Sequence, residues 1–172
     1  MWVVIPVKRF AFAKNRLNAV LTPSERESFA QVMLNDVIRA VADASLVSGV
    51  LLVSNEMRAK YVVERAGGLF LKAEESGVSS AFKQASNWLL RHGQRTAFLM
   101  PSDIPTIESS EVDSLIAAHS GGKSVTIIPD RHYAGTNGLI VSPPDVINYY
   151  FGSDSFRLHI KAAEKSGIKP TV

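Results

Sequence analysis

A single three-layer α/β/α domain with a mostly parallel sheet is what this sequence predicts, and three observations carry the prediction. Short apolar runs of strand length alternate with longer segments of helical periodicity. The runs are apolar throughout rather than alternating, as expected of strands covered on both faces. The 172 residues suit one compact domain, and no repeat, linker or low-complexity segment divides them.

Trp2-Val-Val-Ile-Pro-Val7 reads as the first strand, followed by a basic, irregular stretch over residues 8–21. Thr22-Pro23-Ser24-Glu25 is a helix start: Thr22 caps, Pro23 takes the first position and Glu25 closes a capping box. Phe29, Met33, Val37, Val41 and Ala44 recur at helical spacing and form the buried face of a helix of about twenty residues. Val47 to Ser54 is the second strand, Glu56 to Ala66 a helix and Gly67-Gly68 its stop. Leu69-Phe-Leu71 is a brief third strand, before a helix with Phe82, Ala85 and Leu89 on one face that ends near His92-Gly93. Thr96 to Met100 is the fourth strand, followed by a helix over about Ser109 to Ala118. Ser124 to Ile128 and Gly138 to Ser142 are strands five and six, with Pro143-Pro144 opening a short helix. Asp154 or Ser155 caps a last helix running through Glu164.

Composition narrows the function. With no cysteine there is no disulfide, thiolate metal site or cysteine nucleophile. Apolar runs fall well short of the roughly 18 residues that span a bilayer, and Met1 leads into an apolar strand with neither a charged n-region nor a cleavage site. The expectation is a cytoplasmic protein without a membrane partner. A net charge of +3 does not argue for nucleic acid, and the bases lack interleaved stacking aromatics beyond Phe10 and Phe12. Placement says more than the total: residues 1–24 hold Lys8, Arg9, Lys14 and Arg16, and the first carboxylate is Glu25.

In sheets of this kind ligands bind beyond the carboxyl ends of the strands. That rule selects the basic loop after Val7, the Ser102-Asp103 turn after Met100 and the 130–137 loop after the fifth strand. Asp103, at a strand end between prolines, is placed to share Mg²⁺ with substrate phosphates, though a turn or cap aspartate has the same sequence signature. Lys8, Lys14 and Arg16 suit a triphosphate, or else form a solvated loop; neither a P-loop nor a dinucleotide glycine pattern is present. Gly135-Thr136-Asn137-Gly138 is a tight turn or an anion nest, and the segment Phe151 to Phe156 offers helix N–H groups to a phosphate, with capping by Asp154 or Ser155 compatible. His92 and His119 read as solvated helix-end caps, whereas His132 and His159 fall near the pocket as minor contacts.

Together these segments resemble the guanylyltransferases that build coenzyme F-420 and act on 2-phospho-L-lactate, phosphoenolpyruvate or 3-phospho-D-glycerate. Ile5-Pro-Val-Lys8 with Ala13-Lys-Asn-Arg-Leu17 is similar to their nucleotide-binding start, and Met100-Pro-Ser-Asp-Ile-Pro105 to their metal-binding turn. Pro129 to Asn137 and Phe151-Gly-Ser-Asp-Ser-Phe-Arg-Leu-His159 resemble their acceptor loops, so that the likeness runs nearly end to end. It implies a nucleotide-diphospho-sugar-transferase-like domain related to the molybdopterin guanylyltransferases. By this carry-over Lys14 and Arg16 serve the GTP phosphates, Asp103 holds magnesium, and Pro6, Val7, Lys8, Leu17 and Ser79 join the nucleotide side. Thr136, Asn137, Gly152 and Ser155 bind the acceptor, in a monomer or homodimer.

Two departures accompany the resemblance. The family continues into a strand ending in Asp-x-Asp-Thr-Pro, which supplies further metal ligands, whereas this sequence ends at Lys169-Pro-Thr-Val172. Gly77-Val78-Ser79 stands where the family shows Gly-Leu-Asn. The expected reaction is transfer of GMP from GTP to the acceptor phosphate with release of pyrophosphate. Its rivals are a nucleotidyltransferase for a phosphosugar or a molybdopterin, and a catalytically inactive nucleotide-binding module.

Overall fold

The computed structural model describes residues 1–14 and 17–172. Six strands form one sheet in the order β3-β2-β1-β4-β6-β5: β1 Trp2–Val7, β2 Gly49–Ser54, β3 Leu69–Lys72, β4 Ala97–Leu99, β5 Ser124–Pro129 and β6 Thr136–Ser142. β1 pairs in parallel with β2 and β4, and β2 with β3. β6 runs antiparallel to both of its neighbours, which leaves β5 pointing the same way as β1 to β4. The carboxyl ends of five strands and the amino end of β6 therefore share one sheet edge.

Strand alternation divides the core into two layers. Val3, Ile5, Val50, Leu52, Phe98 and Ile140 face α1 (Pro23–Ala42), α2 (Met57–Arg65) and α4 (Ser109–Ala118). Val4, Leu51, Val53, Leu99, Leu139 and Val141 face α3 (Val78–Arg91) and α5 (Ser155–Lys165). Every strand residue from Val3 to Ile5 is completely buried, which explains why β1 shows no polar alternation in sequence. On the far edge, Thr171 exchanges backbone hydrogen bonds with β5, covering ladder groups there.

Local chemistry sets the boundaries. Thr22 and Glu25 form the expected capping box: the Glu25 carboxylate accepts from the Thr22 N–H at 2.8 Å, and the Glu25 N–H donates to the Thr22 hydroxyl at 3.3 Å. A cap of this kind contributes about 1 kcal/mol. Gly49 cannot carry a Cβ, because the Trp2 indole would lie 2.8 Å from it. Two expectations fail. Phe29 is 42% exposed and outside the core, since the helix turns Met33, Leu34, Val37, Ile38 and Val41 inward instead. No helix opens at Pro143-Pro144: Val146 N–H closes a single turn onto the Pro143 carbonyl, and the Tyr149 hydroxyl takes the Pro144 carbonyl that a helix would need.

Candidate active site

The loop after β1 is tied down from behind. Ser54, at the end of β2, donates its hydroxyl to the Val7 carbonyl at 2.7 Å and accepts from the Glu56 N–H at 2.8 Å. The Glu56 carboxylate accepts from the Phe10 N–H at 3.0 Å and from Arg58 Nε at 3.0 Å. Burial alone would raise the Glu56 pKa, but the hydrogen bonds from Arg58 and Phe10 outweigh it and hold the group below the usual carboxylate range. Arg58 in turn lies over the Phe10 ring, 4.9 Å from its centre, and reaches Glu27. This Ser54-Glu56-Arg58 clamp escaped the sequence reading, because each residue alone looks like an ordinary strand end, cap or surface charge.

Two cavities open on this loop. One of about 420 Å³ lies between the ends of β1 and β2 and the start of α3, with Pro6, Val53, Val78 and Ala81 as apolar walls and Lys8, Asn55 and Glu75 as polar lining. The other, of about 840 Å³, shares Pro6, Val7, Lys8 and Val78 and extends to Lys14, Leu17, Ser102 and Asp103. Phe29, misread as core, is part of its wall. Lys14 Nζ donates to Asp103 Oδ2 at 3.1 Å, joining the basic loop to the acidic turn; the Asp103 side chain is 56% exposed. Arg16 lies outside the described residues.

Ser79 lines neither cavity. Its hydroxyl accepts from the Phe151 N–H at 3.0 Å, so the side chain ties α3 to the loop before α5. Among the described residues no group of three potential ligands is gathered for a metal. Asp103 is a single exposed carboxylate. Such a donor fits Mg²⁺ held largely by substrate phosphate oxygens and water.

The other predicted residues meet at the start of β6 and of α5. Thr136, Asn137 and Gly138 are strand residues, so the expected turn or nest is corrected: they pair with β5, and what Thr136 offers is its hydroxyl. The hairpin loop before them is ordered by Asp130, whose carboxylate accepts the N–H groups of Ala134 and His132, each at 3.0 Å. The Ala134 N–H, chief among these bonds, lowers the Asp130 pKa. Gly135 is required here, since a Cβ would sit 2.9 Å from Asp130 Oδ2.

The α5 start is not capped by a side chain, contrary to expectation. Asp154 instead pairs with Arg157, with Arg157 Nε 2.5 Å from Oδ2, and that guanidinium lowers its pKa. Ser155 is 2% exposed, and among the described residues its hydroxyl has no hydrogen-bond partner. Gly152 sits at φ +133°, which excludes other side chains. The positive-φ non-glycine residues, Lys14, Tyr133 and Asp154, all lie in loops of this sheet edge, where strained backbone commonly accompanies binding.

The histidines divide differently from expectation. His92 is exposed and stacked on Trp88, whereas His119 is half-buried: its ring bonds the Thr126 and Ser142 hydroxyls at 2.8 and 2.9 Å, and burial lowers its pKa. His132 is exposed, with its Nε2 2.9 Å from Arg131 Nε. His159 is completely buried, 2.9 Å from the Thr136 hydroxyl.

Strand order places these pieces relative to one another. β1, β4 and β6 are successive neighbours, so the basic loop, the Asp103 turn and Thr136 sit at the ends of adjacent strands on one sheet edge. A family model described as "Guanylyl transferase CofC like" matches residues 1–172. The chain belongs to this family. It is 34% identical over 165 residues to a phosphoenolpyruvate guanylyltransferase of Sphaerobacter thermophilus, covering 96% of this chain and 79% of that one. It is 38% identical over 173 residues to a 2-phospho-L-lactate guanylyltransferase of Methanothermobacter thermautotrophicus, covering 98% and 74%. The fold matches a putative nucleotide-diphospho-sugar transferase from Desulfovibrio desulfuricans at a TM-score of 0.76 and 14% identity, over 99% of this chain and 78% of that one. As a member of this family the chain is a nucleotidyltransferase, and the sheet edge described above is its candidate active site.

Proposed function

We propose that the chain transfers GMP from GTP to the phosphate of a small phosphorylated acid of the phosphoenolpyruvate or 2-phospho-L-lactate type, as a step of coenzyme F-420 biosynthesis; 3-phosphoglycerate is the third acceptor in contention. One observation carries the reading: a cation-bearing loop and a carboxylate joined by the Lys14–Asp103 pair share a sheet edge with the Thr136 and Ser155 hydroxyls and a helix start that has no side-chain cap. The first half suits a triphosphate and its counter-ion, the second a compact anion.

In this reading the base enters the smaller cavity against Pro6, Val53 and Val78, near Asn55 and Glu75. The triphosphate then passes Lys8 toward Lys14; Arg16 is assigned to the same phosphates by the family resemblance alone. An oxygen of the acceptor phosphate attacks the α-phosphorus; the new P–O bond forms as the bond to the β-phosphate oxygen breaks, and pyrophosphate leaves. The nucleophile is already anionic, so the chain needs to position and neutralise rather than move a proton. Lys14 releases Asp103 and turns to the departing phosphates. Asp103 would hold Mg²⁺, which supplies charge neutralisation on the transferring phosphoryl group.

The test is pyrophosphate release with GTP, ATP or CTP, offering phosphoenolpyruvate, 2-phospho-L-lactate, 3-phosphoglycerate and a panel of phosphosugars separately. Release with GTP and one phospho-acid is expected and names the acceptor. Release only with phosphosugars would move the chain to another acceptor class. GTP binding indifferent to Mg²⁺, with no product from any acceptor, would make it a binding module.

A further inference from the structure

His159 makes two hydrogen bonds that together fix its tautomer. The Tyr150 N–H donates to Nε2 at 3.0 Å, so that nitrogen carries the lone pair. A neutral imidazole then bears its proton on Nδ1, and Nδ1 lies 2.9 Å from the Thr136 hydroxyl oxygen. The ring has no exposed surface, and its edge contacts Phe151 with ring centres 4.8 Å apart. Burial moves its pKa down to about 4, which keeps the ring neutral at ordinary pH.

The consequence falls on Thr136. Its oxygen accepts from His159, so its own hydrogen is free to donate elsewhere, and among the described residues it has no protein acceptor. Ser155, whose hydroxyl likewise has no partner among the described residues, begins the helix that carries His159 one turn later. Through Nε2 the same ring holds Tyr150, two residues before Gly152.

We infer that His159 is a positioning residue for the acceptor: by donating to the Thr136 oxygen and accepting from the Tyr150 N–H, it makes the Thr136 hydroxyl a fixed outward donor to an anionic oxygen. The inference rests on the proposal that Thr136 binds the acceptor. A hydroxyl locked this way favours a phosphate or carboxylate oxygen, which only accepts, over a sugar hydroxyl competing as a donor.

The test uses the full chain with GTP and phosphoenolpyruvate. Thr136→Val should raise the acceptor KM by about ten-fold, the order expected for one hydrogen bond to a charged group, with the GTP KM unchanged. His159→Leu should do the same, and His159→Asn, whose amide nitrogen can stand in for Nδ1, should recover most of the loss. The double variant Thr136→Val, His159→Leu should be no worse than Thr136→Val alone, because the two act through one hydroxyl. Nitrogen-resolved NMR of the unmodified protein should find the His159 proton on Nδ1, a readout that needs no turnover. Multiplying effects, an equal rise in the GTP KM, or a proton on Nε2 would overturn the inference while leaving the acceptor site in place. An unchanged acceptor KM in Thr136→Val would overturn the acceptor site at Thr136 and the inference with it.

Discussion

The two halves of this sheet edge are built on opposite principles. On the side proposed for the nucleotide, Lys14 and Asp103 meet as a partly exposed pair over an open cavity of about 840 Å³. On the side proposed for the acceptor, a wholly buried histidine is hydrogen-bonded to a strand and a loop. The difference follows the ligands proposed for them. A triphosphate with a metal brings most of its own coordinating atoms and asks for charges that can change partners. A small phospho-acid offers few atoms, so its site needs donors set in advance.

The sharpest way to break the comparison is to remove the carboxylate that pairs with Lys14. Asp103→Asn keeps the size but not the charge, and should lower kcat/KM by about 100-fold or more, in line with the loss of one electrostatic contact to a transferring group. The melting temperature should hardly move, because an exposed ion pair contributes about 1 kcal/mol at most. Pyrophosphate release across a Mg²⁺ titration, alongside thermal melts, measures both. Activity within a few-fold of the parent would remove Asp103 from the mechanism.

The acceptor side should betray itself through pH instead. The folded-state pKa of His159, about 4, lies below its ordinary value of 6.5, so between those values the unfolded chain binds the extra proton. Stability is complete above about pH 6.5 and falls as pH drops toward 4, by at most about 3 kcal/mol from this residue. His119, lowered by burial as well, adds to the same slope. Asp130 and Asp154, whose pKa values are lowered, lose their contribution only below the ordinary aspartate value and so fall outside this window. Denaturant unfolding at several pH values should give a shallower slope for His159→Asn. An identical slope would mean the ring is not held neutral.

Ser155→Ala isolates the second hydroxyl. It should raise the acceptor KM by about ten-fold, leave the GTP KM alone and cost little stability, since among the described residues the hydroxyl has no hydrogen bond to lose. A raised GTP KM would place Ser155 on the nucleotide side.

What the sequence disclosed and what it hid divide along similar lines. β1, the Thr22 capping box and the Asp103 turn are legible because periodicity, proline and capping chemistry act over a few residues. The likeness to known motifs also proposed Thr136 and Ser155, which the fold brings to one sheet edge. The sequence could not show that the Ser79 hydroxyl serves Phe151, 72 residues away, or that His119 is held between β5 and β6. Phe29 fits the helical period of a core face, yet the helix rotates it into a cavity wall. His159 reads as a minor contact because nothing local marks it; its role comes from the tertiary meeting of β6, α5 and the 150–154 loop.

The mildest perturbation bears on how far the nucleotide side relies on mobile, screened charge. Lys8 is exposed and lines both cavities, so it stands where a nucleotide would pass from one to the other. Its ammonium is a point charge in water, and its pull on a phosphate fades over about 10 Å at 0.1 M salt. Lys8→Ala should therefore raise the GTP KM only a few-fold, most at low ionic strength, and should leave the acceptor KM unchanged. Steady-state kinetics over a salt series reads this directly. A loss that persists at high salt would mean Lys8 makes a close, desolvated contact with the nucleotide. The nucleotide side would then share the preset character of the acceptor side.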